Sequence, residues 1–171
     1  ASSTETLYTG FPYDMIIPDL MAVSPDLQKV AKKYMDYYQQ LMGVYRSATI
    51  SVINTRELEK LAQITSSLLA GNSINWGLFK RSIVQRLDNY EEQYLFDFSD
   101  FMHKAFIGNQ IELFDNQLKK VVLYKANTDE FMGEFLITTY CGLSSYIPLI
   151  SRSDLNNYYQ KLKWCKDSGY R

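Results

Sequence analysis

Histidine is almost missing from this chain: among 171 residues there is one, His103. Cysteine is nearly as scarce, with only Cys141 and Cys165. One His and no closely spaced Cys pair leave no zinc motif. Two thiols do not make a disulfide framework in a chain this long, and they do not fix a redox compartment. No glycine-rich phosphate loop, internal repeat or low-complexity segment is present. Lys and Arg number 18 against 19 Asp and Glu, a formal net charge of −1. Without a basic excess nothing holds a phosphate backbone, which disfavours a nucleic-acid partner. No apolar run approaches the roughly 20 residues that a bilayer span needs.

Apolar and aromatic residues are abundant. Hydrophobic residues make up 46% of the chain, which argues against disorder and supplies one sizeable core. Tyr, at 14 residues, dominates the aromatic content. Most Tyr fall on helical spacings, which favours rings buried at the rim of helix packing with wet hydroxyls. The alternative is a stacking platform for sugar rings or peptide.

The pattern predicts a strand end at Ala1–Thr4, a loop over 5–10 and a turn at Phe11-Pro12. Ser24-Pro25 reads as an N-cap and first helical residue, followed by Leu27, Val30, Ala31, Tyr34, Tyr38 and Leu41 at helical spacing. Thr49–Ile53 reads as a strand, and Thr55 as the cap of a helix carrying Leu58, Leu61, Ala62, Leu68 and Leu69. Trp76, Phe79, Ile83 and Leu87 predict another helix; Asp97 starts one, and Ile111, Phe114 and Leu118 mark the next. Strands are expected again at Val121–Lys125 and Leu143–Ile147, then a last helix capped by Ser153. Short strands with no hairpin turn between them predict pairing with a sheet supplied largely by other sequence, because isolated strands leave backbone groups unpaired.

Little of this pattern carries chemistry. A cysteine nucleophile needs a thiolate and a nearby base. His103 sits mid-helix, and neither Cys follows a strand in a way that presents a nucleophile, so structural roles are expected for all three. Asp97 with Asp100, and Asp26 with Asp36, read as capping or helix-surface acids, and Asp129-Glu130 as a solvated turn.

Three blocks stand out by their order. They are Ser2-Ser3-Thr4-Glu5 with Thr9-Gly10-Phe11-Pro12-Tyr13-Asp14, then Cys141-Gly142-Leu143-Ser144-Ser145-Tyr146-Ile147-Pro148, and last Leu155-Asn156, Tyr158-Tyr159 and Trp164-Cys165 through Gly169-Tyr170. Together they resemble the C-terminal portion of a clostripain-family cysteine peptidase. The close match covers about a quarter of the chain; the rest agrees in pattern only. The resemblance implies a caspase-like α/β fold, a mostly parallel sheet between helices, of which this chain is a second-half segment that is mainly α by residue count. It implies residues 1–23 as a strand end and substrate-cleft loop, 24–120 as a mainly helical subdomain, and 121–171 as returning core strands with a C-terminal helix.

The family's catalytic His and Cys both precede the first block, so the resemblance implies no catalytic residue in this chain. It implies an upstream chain as partner, a peptide or protein substrate, no activity of this chain alone, and a bacterial secreted or cell-envelope location. Glu5, Leu7, Thr9 and Gly10 would border the substrate pocket. Clostripain relatives typically cleave after Arg or Lys, and some carry an acid where this chain has Thr9. That departure leaves Glu5, or an acid upstream, to meet a basic side chain; Glu5 also reads as a plain loop-capping acid. No cofactor is called for by any motif, and calcium enters only through the resemblance. Opposed to this reading is a non-catalytic, Tyr-rich helical binding module.

Overall fold

The computed structural model describes residues 12–71, 78–106, 110–149 and 151–169. Helical residues outnumber strand residues among them. At the start of the described chain, the Pro12 carbonyl accepts from the amides of Met15 and Ile16, so α1 (Tyr13–Leu20) begins directly after Pro12, while Phe11 of the expected turn lies outside the described residues. Helix α2 (Leu27–Gln39) is capped by Asp26, whose Oδ1 accepts from Gln28 and Lys29 amides at 3.0 and 3.1 Å. Ser24 and Pro25 stand outside the helix, because a carboxylate both caps the free amides and suits the positive end of the helix. Strand β1 (Thr49–Ile53) falls where predicted. Asn54, not Thr55, caps the 3-10 turn that leads into α3 (Leu58–Gly71), which buries Leu61, Ala62, Thr65 and Leu68.

The helix expected across Phe79, Ile83 and Leu87 does not form (Trp76 lies outside the described residues). The chain makes one 3-10 turn at Arg81–Ile83 and then runs extended. Its backbone bonds go elsewhere: the Leu87 amide donates to Leu95 at 2.7 Å, and Gln85 accepts from the Asp97 amide at 2.8 Å. Segment 85–87 therefore lies beside β2 (Leu95–Asp97). Buried Asp88 closes the intervening loop by accepting from the amides of Tyr90, Tyr94 and Leu95.

Helix α4 (Phe98–Ala105) starts at the Asp97 cap as predicted, followed by α5 (Gln110–Val121) and β3 (Val122–Asn127). A small hairpin, β4 (Glu130–Phe131) and β5 (Phe135–Leu136), precedes β6 (Ser144–Tyr146). The last expected helix is two, α6 (Ser153–Tyr159) and α7 (Lys163–Ser168), and α6 has no side-chain cap.

Contrary to expectation, the strands find partners within the chain. β1 pairs with β3, β2 with β6 and β4 with β5, each antiparallel, so the described strands do not build the implied mostly parallel sheet. In the first ladder Ile50 faces Ala126 and Val52 faces Tyr124, with a bulge before Ile53↔Val122 that leaves Leu123 unpaired. Every β1 residue from Thr49 to Val52 is buried, because the ribbon is covered on both faces. On one side α2 packs Val30, Tyr34 and Tyr38 against Ile50 and Val52. On the other lies Gly142, where a Cβ would sit 2.8 Å from Val122 Cγ1 and 3.2 Å from Ser51 Cβ. The main core joins α3, α4 and α5 through Leu61, Phe98, Phe101 and Phe114, with Trp164 of α7 edge-on to Phe98 at 5.6 Å.

Candidate functional site

The residues predicted to border substrate, Glu5, Leu7, Thr9 and Gly10, lie outside the described residues. The element after them is firmly anchored. Ile16 of α1 is buried against α2, and Asp19 meets Lys29 Nζ at 2.8 Å and also pairs with Lys33. Those two ammonium groups hold the Asp19 carboxyl below its usual range. The outer side of α1 exposes Tyr13, Ile17 and Leu20 at helical spacing.

Neither described thiol has a nucleophile's surroundings. Cys141 is buried; its Sγ donates to the Leu143 carbonyl at 3.1 Å and accepts from the Ser99 and Leu143 amides at 3.4 Å. Burial, helped by the nearby Asp97 charge, pushes the Cys141 thiol up to about 12, so the thiolate that chemistry requires is not populated near neutrality. Cys165 is buried in α7. His103 of α4 is half exposed and its Nε2 lies 2.9 Å from Asp115 Oδ1. Among the described residues no three His, Cys, Asp or Glu side chains converge.

The motif residues instead pin the fold together. Buried Asp97 accepts from the Asp100 amide at 2.8 Å as helix cap and from the Cys141 amide at 2.5 Å, tying α4 to the segment before β6. Burial raises the Asp97 carboxyl above its ordinary value, against the pull of those amides. The Tyr146 hydroxyl donates to Asn156 Oδ1 at 2.6 Å, and Asn156 Nδ2 donates to the Leu149 carbonyl at 2.7 Å. Gly169 caps α7 with a left-handed backbone, φ 64°. The Cys141–Pro148 block and the Leu155-Asn156, Tyr158-Tyr159 and Trp164 residues thus meet in space.

Two open clefts among the described residues are lined by side chains not predicted to border substrate. One, of about 420 Å³, is lined by Tyr90, Tyr94, Tyr146, Tyr158 and Tyr159 with Arg152 at its edge. Tyr90 and Tyr158 are more than half exposed there, while Arg152 is neutralised by Glu92 and Asp154 at 2.9 Å each. The Tyr side chains of α2 (Tyr34, Tyr38) are buried packing groups, as the helical spacing predicts, but this cleft is not. The other, of about 440 Å³, contains Arg86, Gln93, Asp100, Lys104 and Thr138. Arg86 falls inside the helix that spacing wrongly predicts, so no local signal could place it in a cleft.

Comparison with solved structures finds the same fold in bacterial cysteine proteases. A cysteine protease from B. fragilis superposes with TM-score 0.87 at 30% identity, over 99% of this chain and 76% of that one. An inactive zymogen C11 protease from Parabacteroides distasonis gives TM-score 0.84 at 29% identity, over 96% of this chain and 49% of that one. A clostripain from Bacteroides thetaiotaomicron, in complex with the peptide inhibitor BTN-VLTK-AOMK, gives 0.83 at 24% identity, over 96% and 73%. The chain thus spans about half the length of the P. distasonis protease and three quarters of the other two. No protein-family model and no curated protein matches it.

Proposed function

The chain belongs to the clostripain (C11) family of cysteine proteases, and from that premise we propose that it forms the C-terminal portion of a caspase-like cysteine endopeptidase. The observation that carries this is the state of its thiols: Cys141 is buried, hydrogen-bonded and pushed up to about 12, and His103 is engaged by Asp115. A protease family whose described residues here hold no thiolate–imidazole pair needs its nucleophile and base from another part of the polypeptide.

In this reading residues 1–23 contribute a strand end and a cleft wall through Glu5, Leu7, Thr9 and Gly10; 24–120 form a mainly helical subdomain; and 121–171 return to the core. The upstream portion is the partner, and peptides or proteins are the substrate. Secretion, or a bacterial cell-envelope location, follows from the same likeness. No catalytic step is assigned to the described residues, and none is routed through calcium.

The test is reconstitution. The chain alone, and the chain co-expressed with the upstream portion of the family polypeptide, are assayed on peptides with Lys or Arg at the cleavage position. Turnover is expected only from the combination. Turnover by the chain alone that disappears in Cys141→Ala would overturn the proposal.

The aromatic cleft favours a second reading, a Tyr-lined binding module for glycan or peptide. It predicts a chain that is stable and monomeric by itself and loses ligand binding in Tyr158→Ala. The protease reading predicts aggregation or instability when the chain is separated from its other portion, because apolar side chains such as Tyr13, Ile17, Leu20 and Met21 stay uncovered.

A further inference from the structure

Arg86 is half-buried, yet its guanidinium forms no ion pair among the described residues. Arg46 and Arg152, by contrast, are matched to Asp129 and to Glu92 with Asp154. Arg86 Cζ instead lies 4.1 Å from the centroid of the Phe135 ring. Phe135 in turn stacks on buried Phe131, centroids 5.1 Å apart and planes 15° from parallel. The Arg86 backbone is held by its bridge to Phe96, and its carbonyl accepts from Gln85 Nε2 at 3.0 Å. The cation therefore stands on an aromatic column with its position set in advance.

The charges around it do not neutralise it. Asp100 is paired with Lys104 at 2.7 Å and accepts from the Gln85 amide at 2.6 Å. Lys104 also donates to the Ile83 carbonyl. The Gln85 side chain is occupied by Thr138 and by the Arg86 and Leu136 carbonyls. Among the described residues the cleft thus holds one uncompensated positive charge. A cation that has lost part of its hydration without gaining an anion is disfavoured. A ring-stacked guanidinium still presents the N–H fork that matches a carboxylate. Exposed Ile83 and Leu136 supply apolar wall on the same cleft, which suits the residues flanking an acidic one in a peptide.

We propose that this cleft binds a peptide carboxylate, an Asp or Glu side chain within an extended segment, with Arg86 as its anchor. The inference stands whether or not the protease reading does. The occupant is a separate acidic peptide, because the cleft is open and no carboxylate among the described residues meets Arg86; a carboxylate from another portion of the family polypeptide is the rival outcome that the experiment separates.

The chain, fused to a solubilising carrier protein and with its native fold checked by circular dichroism, is titrated by calorimetry with a capped Leu-Glu-Leu peptide, its Leu-Gln-Leu twin and inorganic phosphate, in parallel with Arg86→Gln and Arg86→Lys. The Glu peptide is expected to bind about tenfold more tightly than the Gln twin, the size of one charge-assisted contact. Arg86→Gln should erase that preference, and Arg86→Lys should keep part of it, since Lys retains charge but not the fork. Equal affinity for both peptides, no binding, a preference that survives Arg86→Gln, or tighter binding of phosphate would each overturn the proposal. Loss of peptide binding once the chain is joined to the rest of the family polypeptide, with a lower Tm for Arg86→Gln in that longer protein, would overturn the separate peptide as occupant in favour of that portion. Retained binding supports the separate peptide.

Discussion

Replacing Gly142 with alanine tests how the segment after Cys141 is seated on the β1–β3 ribbon. Two separate costs are legible. The backbone there has φ 93°, a conformation that L side chains rarely adopt, and holding a non-Gly residue in it costs about 1–3 kcal/mol. The new Cβ would also lie 2.8 Å from Val122 Cγ1, 3.2 Å from Ser51 Cβ and 3.4 Å from Lys125 Cβ. The Ser51 and Lys125 Cβ atoms are roots of strand side chains and Val122 Cγ1 is a methyl of a β-branched residue that is stiff at χ1, so relief requires shifting the strands or forcing the Val122 rotamer, and such overpacking costs about 1–3 kcal/mol. The middle of the combined range is about 4 kcal/mol, a fall in Tm of about 8–16 °C for a domain of this size. Gly43 is the control: its φ is 57°, but nothing lies within 4 Å of an added Cβ. Gly43→Ala should lose about 1 kcal/mol, or about 2–4 °C. Thermal unfolding of the two variants by circular dichroism gives the comparison. A Gly142→Ala variant no less stable than Gly43→Ala would show that the close packing of 141–143 on the ribbon is misread.

Other perturbations give distinct outcomes. Native Cys141 should resist iodoacetamide at pH 8 and label readily in urea, since burial and a thiol pushed up to about 12 withhold the thiolate; mass spectrometry of the modified peptide reads this, and rapid native labelling would count against it. Asp97 and Asp19 should move stability in opposite directions with pH. Because burial raises Asp97 in the fold, its contribution is full below the ordinary value of 3.8 and is lost as pH rises through the folded value. Asp19 is held low by Lys29 and Lys33, so its contribution is present above 3.8 and is lost as pH falls through the folded value. Asp97→Asn should remove the first slope and cost about 1–3 kcal/mol, because an amide has one acceptor oxygen for two backbone donors. Urea unfolding from pH 3 to 7 checks both; an unchanged profile in Asp97→Asn refutes the assignment.

How much could be read beforehand follows from the range of the forces involved. Thr49–Ile53 and the Asp97 cap are local: β-branched alternation and one side-chain oxygen decide them, and the structure places them where the pattern does. The region around Leu87 is not local. Its apolar residues recur at helical spacing, but Asp88 collects amides as far on as Leu95, and Arg86 bridges Phe96, so tertiary bonds override the period. Strand partners were hidden for the same reason. Nothing near Val52 indicates that Tyr124 will face it. Arg86 could not be recognised as a site, because Phe135, which fixes it, is remote in the chain and joins it only through the fold. The terminal motifs were legible as a family signature, while their work as hydrogen-bonded pins, Tyr146 with Asn156 above all, needed three dimensions.

The pairing of β1 with β3 also sets a clock on biosynthesis. Ile50 and Val52 leave the ribosome well before Tyr124 and Ala126, their ladder partners, have been made. At about 5–20 residues per second that interval lasts several seconds. Throughout it the nascent chain carries an apolar strand whose backbone has no mate, and closing so long a loop slows the search once the mate arrives. The helices α2 and α3 can form early around that vacancy but cannot fill it. Yield in a heterologous host should therefore depend on holdase chaperones and temperature more than on the stability of the finished fold.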